Sequence, residues 1–153
     1  MKFKKIEFGR QANFFLALTL IHFLFFGYIS NRYEKSIGGD ILYLHKIMFN
    51  PNSFVSFIIL LVIVFIMVFR EDFFEYGIRN SIWLVLFIIL ETWLWYLFIT
   101  YKLDLFNAVA TFFLSLDGYI TIFSLFATVL FSAILAAMAK EKYKIYKEKM
   151  KKD

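Results

Sequence analysis

The sequence predicts an all-α integral membrane protein, a four-transmembrane-helix bundle with a cytoplasmic basic helical C-terminal tail. Hydrophobic residues make up 61% of the 153-residue chain, which is more than a soluble domain of this size needs to fill one core. Charged residues divide the chain into four apolar runs, and the last 14 residues hold seven lysines. These observations indicate a membrane domain over residues 1–139 and a basic tail over residues 140–153.

Three of the apolar runs match the length of a simple membrane crossing. A hydrocarbon core needs about 20 helical residues. The predicted spans are residues 11–31, residues 53–69 and residues 80–101. The second run is the shortest, and it is preceded by Pro51 in an Asn-Pro-Asn turn. Long side chains at its two ends are expected to reach the interface and complete the crossing.

The fourth apolar run is too long for one crossing. Asp104 and Lys140 enclose 35 residues, which at about 1.5 Å per residue exceed a core of about 30 Å. Asp117 followed by Gly118 is the expected breakpoint, because aspartate is a favoured N-cap residue. The prediction is an interfacial or re-entrant segment over residues 105–116 and a fourth span over residues 119–139. The alternative is one long tilted helix with Asp117 inside the membrane.

Cations are distributed unevenly between the two sides of this topology. Thirteen of the 17 fall at the N-terminus, in the second loop and in the tail. The other side holds Arg32, Lys35, Lys46 and Lys102. Because lysine and arginine favour the cytoplasmic side, both termini of this multi-pass protein are expected to be cytoplasmic, with a bacterial inner membrane as the expected location. The basic tail is expected to meet anionic lipid or to dock a cytoplasmic partner.

Two titratable residues stand in the middle of apolar spans. His22 lies near the midpoint of the first span, and Glu91 lies near the midpoint of the third. An acid there must be paired, protonated or facing a cavity. Both helices run outward in the predicted topology, so the two side chains lie at similar depth and can meet. His22, Glu91 and Asp117 are the candidate intramembrane polar or proton-relay residues, although hydrogen bonds that only join helices would also explain them.

Small and hydroxylated residues recur at spacings of three and four along the fourth span. They are Thr121, Ser124, Thr128, Ser132 and Ala136. Such residues let helices approach closely, so this face is predicted first as a packing interface. Its second interpretation is the wall of a hydrated pore, with Asp117 at the mouth. Four helices from one chain can hardly enclose a channel, so the pore requires an oligomer.

The loops and the tail add weaker expectations. Glu71, Asp72 and Glu75 follow the second span on the cytoplasmic side, where they are expected to pair with the basic tail. His45 is expected on the outer side, in an interfacial helix at the membrane surface. Nucleic acid is not an expected partner, because proximity to the membrane already explains the positive charge of the tail.

Enzyme chemistry finds little support in the sequence. The chain has no cysteine, which excludes thiol nucleophiles and thiolate metal sites. It also lacks a nucleophile elbow, a zinc-protease motif and a glycine-rich phosphate loop. Two histidines in different environments fall short of a metal site that needs three or more ligands. No catalytic residue, metal or cofactor is therefore predicted.

Two functions remain for a chain of this kind. The first is a non-enzymatic interaction or accessory subunit of a membrane complex, which contacts other membrane-protein subunits through the fourth span and the basic tail. The alternative is a homo-oligomeric ion or proton channel that uses Glu91 and His22. The subunit predicts that Glu91→Gln is tolerated, whereas the channel predicts that this change abolishes flux.

Overall fold

The computed structural model describes residues 2–33, 38–71, 73–101 and 104–150. Every regular element within these ranges is helical. The α-helices are α1 (Lys2–Leu20), α2 (Gly27–Tyr33), α3 (Leu44–Met48), α4 (Phe54–Arg70), α5 (Phe74–Thr100), α6 (Leu105–Leu114) and α7 (Leu116–Met150). A π-helical segment, Ile21–Phe26, connects α1 with α2. Short 3-10 helices, Gly38–Leu42 and Pro51–Ser53, precede α3 and α4.

Four helical stretches are long and apolar enough to cross a membrane. They are Gln11–Asn31, Pro51–Arg70, Phe74–Thr100 and Leu116–Met150. This confirms the predicted all-helical class and the predicted number of candidate spans. The ten residues of α6 are too few for a crossing. The third stretch begins at Phe74 rather than at residue 80, so the helix includes charged residues that the hydropathy boundary had placed in a loop.

The break in the fourth apolar run lies at Ser115, before the predicted Asp117-Gly118 position. Ser115 has an extended ψ of 144° and ends α6. Its hydroxyl accepts a hydrogen bond from the amide of Gly118 at 3.1 Å, which is the role of an N-cap side chain. The prediction that Asp117 is the N-cap is therefore wrong. Asp117 lies in the first turn of α7, where a negative charge is favourable to the helix dipole.

The connection between α6 and α7 depends on the glycine that follows Asp117. A Cβ atom at Gly118 would lie 1.9 Å from the backbone oxygen of Phe112, a distance that no side chain tolerates. The missing side chain lets the start of α7 pack directly on the end of α6. Beyond this point α7 continues without a break to Met150, so the predicted tail is an extension of the same helix as far as it is described.

The core of the bundle forms where α7 packs between α4 and α5. Leu125, Val129 and Ala133 of α7 are completely buried, as are Leu60 of α4 and Ile88 of α5. The opposite faces of the long helices are also apolar but exposed, and they carry large side chains such as Phe123 and Phe131. A helix that is apolar on both faces suits a bundle surrounded by lipid.

Candidate functional site

His22 and Glu91 form a hydrogen-bonded pair between the first and third candidate spans. Nδ1 of His22 lies 2.8 Å from Oε2 of Glu91. The histidine side chain is 37% exposed and the glutamate side chain is 20% exposed. The structure thus brings together two residues that the sequence placed at the same depth, and it places them at the edge of the bundle rather than in its sealed core.

The histidine of this pair belongs to the π-helical segment. The backbone amide of Gly27 contacts the carbonyl of His22, five residues earlier, which is the hydrogen-bond pattern of a π-helix. The wider turn buries Ile21, Phe25 and Phe26 while His22 reaches towards α5. Short π-helical segments within α-helices occur frequently at functional sites. Nothing in the sequence pattern indicated this segment.

Aromatic rings surround the imidazole of His22. The ring of Phe23 packs edge-on at 5.0 Å between centroids, and the ring of Trp95 lies at 5.4 Å. Trp95 in turn stacks on Phe26 at 6.1 Å. Phe23 is 69% exposed, so the aromatic surroundings extend from the core to the outer surface. This environment lowers the local dielectric around the pair and strengthens its hydrogen bond.

A second acid–base cluster connects α3 to the first turns of α7. His45 Nδ1 lies 2.8 Å from Oγ1 of Thr121, and His45 Nε2 lies 3.7 Å from Oδ1 of Asp117. Lys46 Nζ lies 2.5 Å from the other carboxylate oxygen of Asp117. Asp117 therefore neutralises charge between α3 and α7, and the structure does not bring it together with His22 and Glu91.

Burial and charge set the protonation of the second cluster. Burial lowers the pKa of His45, an effect that Asp117 opposes and Lys46 reinforces. The hydrogen bond to Asp117 raises the pKa of Lys46. The Thr121 hydroxyl donates to the backbone oxygen of Asp117 at 2.9 Å, so Nδ1 of His45 carries a proton and donates to Thr121. Burial favours the neutral form of this histidine. The charged pair is then Lys46 with Asp117.

The opposite end of the bundle has its own polar connection, at the residue that follows α4. Glu71 is only 2% exposed, and its carboxylate accepts a hydrogen bond from the side-chain amide of Asn13 at 3.5 Å. The Lys140 ammonium donates to the backbone oxygen of Glu71. These contacts join the first, second and fourth candidate spans. Of the two other acids expected near the tail, Glu75 is exposed and Asp72 lies outside the described residues.

The small-residue face of α7 is occupied within the chain. Thr121, Thr128, Ser132 and Ala136 are buried, while Ser124 is partly buried. The Ser132 hydroxyl donates to the backbone oxygen of Leu61 in α4 at 2.6 Å. The face therefore packs α7 against neighbouring helices of the same chain, and in this arrangement it is closed to a pore or to another copy.

The contacts of His45 and Lys46 with α7, and the contact of Glu71 with Asn13, were not predicted from the sequence. A signal for the first two existed, because the topology had assigned His45, Lys46 and the start of the fourth span to the same outer side. For Glu71 the sequence indicated the basic tail as a partner, and Lys140 of that tail contacts its backbone oxygen. The burial of the Glu71 side chain had no such signal, since an acid beside Arg70 in a loop is ordinarily exposed. The described residues contain no group of three or more metal-ligating acids and histidines.

The comparisons with known proteins add no functional information. No protein-family model matches the chain, and neither the curated proteins nor the solved structures show a match to it.

Proposed function

We propose that this protein is a non-enzymatic accessory subunit of a membrane complex, and that the surface around His22 and Glu91 contacts a transmembrane helix of another subunit. The observation that carries the proposal is the position of the pair: it lies in the middle of the apolar stretches yet its side chains reach the outer surface. Polar groups that face hydrocarbon are costly, and they ordinarily face protein or water.

The surroundings of the pair suit a helix partner. Phe23 and Leu24 are exposed beside His22, and Leu94 and Phe98 are exposed on the same helix as Glu91. A transmembrane helix of another protein would pack on these apolar side chains. A hydroxyl or amide on that helix would hydrogen-bond to the imidazole or the carboxylate. Helix association in membranes depends on this combination of close packing and polar contacts.

The proposal places the interface on the first and third spans, because the small-residue face of the fourth span already packs against other helices of the same chain. The basic extension of α7 stays part of the proposal, since residues 141–150 are exposed along their whole length. We place both termini on the cytoplasmic side by the positive-inside rule, and we propose a bacterial inner membrane as the location. The tail then lies where anionic lipid or a cytoplasmic partner can reach it.

Site-specific photocrosslinking in the native membrane tests this interface. A photoreactive phenylalanine analogue at Phe23 or Phe98 is expected to capture one partner protein of fixed mass. The same analogue at Phe123 or Phe131, which are equally exposed on α7, is the matched control and is expected to capture lipid. Equal capture of that protein from both faces, or no protein from Phe23 and Phe98, would contradict the proposed interface.

A proton-conducting homo-oligomer is the second candidate, and one observation favours it. The 2.8 Å contact of His22 with Glu91 joins two groups that can exchange a proton, at the depth where a proton relay would need them. Several copies would have to surround a shared axis. Proton flux into liposomes that contain only this protein, abolished by Glu91→Gln, would support the channel; no flux, with the Glu91→Gln variant fully functional in cells, would support the subunit.

A further inference from the structure

A cleft of about 430 Å³ opens at the end of the bundle where α4 ends and α5 begins. Its apolar wall consists of Val68, Phe74, Ile134, Ala137 and Met138. Its charged rim consists of Glu71, Lys140, Glu141 and Lys144. The volume lies within the range of about 300–1,000 Å³ that is usual for small-molecule sites.

The polarity of this cleft changes along the axis of α7. The apolar wall is formed by residues of the fourth candidate span, by Val68 near the end of the second and by Phe74 at the start of the third. The charged rim begins at Lys140, where the apolar run of α7 gives way to lysines. In a bilayer, this change falls where hydrocarbon meets headgroups. A ligand that matches this change from an apolar wall to a charged rim has an apolar chain at one end and a polar group at the other.

The rim holds two glutamates and two lysines, and the positive charge that favours an anionic headgroup lies along the face of α7 that continues from this rim. Lys140 is held against the wall by its contact with the backbone oxygen of Glu71, and the carboxylate of Glu71 interacts with Asn13. Lys144 lies one helical turn beyond Lys140, and Lys147 lies nearly one turn further, so the three lysines share one face of α7. Residues 140–150 contain five lysines and two glutamates, which gives this part of the helix a positive field.

We propose that this cleft binds an anionic phospholipid, with one acyl chain against Ala137 and Val68 and the phosphate against Lys144 and Lys147. The site goes beyond the accessory-subunit proposal and requires only that the protein is inserted in a membrane. A general attraction of a basic tail to a charged surface needs no particular lysine. The proposed site, in contrast, requires Lys144 at the rim of the cleft, Lys147 on the same face of α7 beyond the rim, and the apolar wall as well.

Native mass spectrometry of the purified full-length protein with added lipids tests the site. Dioleoyl phosphatidylglycerol is expected to be retained as a single bound molecule, at least tenfold more tightly than dioleoyl phosphatidylcholine. The double change Lys144→Gln with Lys147→Gln is expected to remove this preference. The matched control, Lys142→Gln with Lys149→Gln, removes the same charge from the opposite face and is expected to change the affinity less than twofold.

Two further arms separate lipid binding in the cleft from attraction by charge alone and from a site for free phosphate. Ala137→Phe fills the apolar wall without a change of charge and is expected to weaken lipid retention at least fivefold, with an unchanged elution volume of the protein. Inorganic phosphate at the same concentration as the lipid is expected not to compete, because it has no acyl chain. Equal losses in both lysine pairs, full retention with Ala137→Phe, or displacement by phosphate would each overturn the proposal. None of these outcomes depends on a partner protein, so the site and the accessory function fail separately.

Discussion

The molecule contains two histidine–acid arrangements, and they differ in how their charges are balanced. At the second acid–base cluster, the Asp117 carboxylate lies against Lys46, and His45 is 15% exposed in its side chain and hydrogen-bonds to Thr121. At the mid-span pair, Glu91 has His22 as its partner and no lysine or arginine contact among the described residues. The second acid–base cluster is thus balanced within the chain, while the mid-span pair has no cationic partner among the described residues and is where we propose that a second subunit binds.

The largest expected loss of stability follows from a change that disturbs the start of α7, which carries Asp117 of the second acid–base cluster. Gly118→Ala places a Cβ atom on the Phe112 backbone oxygen, so α6 must move away from α7 and the first turn that carries Asp117 must shift. Overpacking of this kind costs about 1–3 kcal/mol. Thermal unfolding in detergent should show a clear drop in Tm. Gly39→Ala is the matched control, because no atom lies within 4 Å of the added Cβ; an equal drop in both variants would contradict this account.

The next prediction concerns the interaction energy between His22 and Glu91. His22→Leu, Glu91→Leu and the double variant form a cycle that isolates the interaction between the two side chains. Polar contacts between membrane helices contribute about 0.6 kcal/mol on average and up to about 1.7. We expect a coupling within that range, measured by reversible unfolding in mixed micelles. Additive single changes would show that the 2.8 Å contact contributes nothing to stability.

The third prediction concerns the effect of pH on stability through His45. Because burial lowers the pKa of His45 below its ordinary value of 6.5, the unfolded chain binds more protons than the folded chain as pH falls through this region. The free energy of unfolding therefore rises with pH in this window, and the contribution of His45 is lost as the solution is acidified below about pH 6.5. His45→Asn, which retains a donor for Thr121, should reduce the decline of Tm between about pH 7 and about pH 5. An unchanged slope would place the pH dependence elsewhere.

The smallest effect is expected at Lys46. Its side chain is 42% exposed, and an exposed ion pair contributes little because water and salt screen it. Lys46→Gln should lower Tm slightly at low ionic strength. The difference from the unchanged protein should vanish near about 1 M salt, where the screening length falls to about 3 Å. A loss of Tm that persists at high salt would mean that Lys46 acts through packing.

The approach of His22 to Glu91 could be expected from the sequence because each residue is the central titratable group of an apolar run and both helices run in the same direction. The break at Ser115 could not. Aspartate and serine are both good N-cap residues, and the choice between them was decided by the close approach at Gly118, which is a tertiary contact. The early start of α5 was not predicted either. A hydropathy boundary places charged residues outside a span, while the helix itself continues through them.

The sequence also left open what packs against the small-residue face of α7. The same spacing of threonine, serine and alanine permits packing within one chain or between copies. The contact of Ser132 with Leu61 shows that helices of this chain occupy the face, which only the folded arrangement can reveal. The exposure of the His22–Glu91 pair is likewise a property of the packed helices. A sequence predicts the depth of a residue along a span far better than the direction in which its side chain points.

The most direct test is whether this protein is recovered from its own membrane in a complex, and with which subunits. Gentle extraction, affinity capture and native mass spectrometry give the mass and the subunits of that complex. The account predicts recovery with another membrane protein in a fixed ratio, and loss of that protein in the His22→Leu, Glu91→Leu double variant. Recovery as a closed homo-oligomer without other proteins would contradict the accessory-subunit proposal and favour the conducting oligomer.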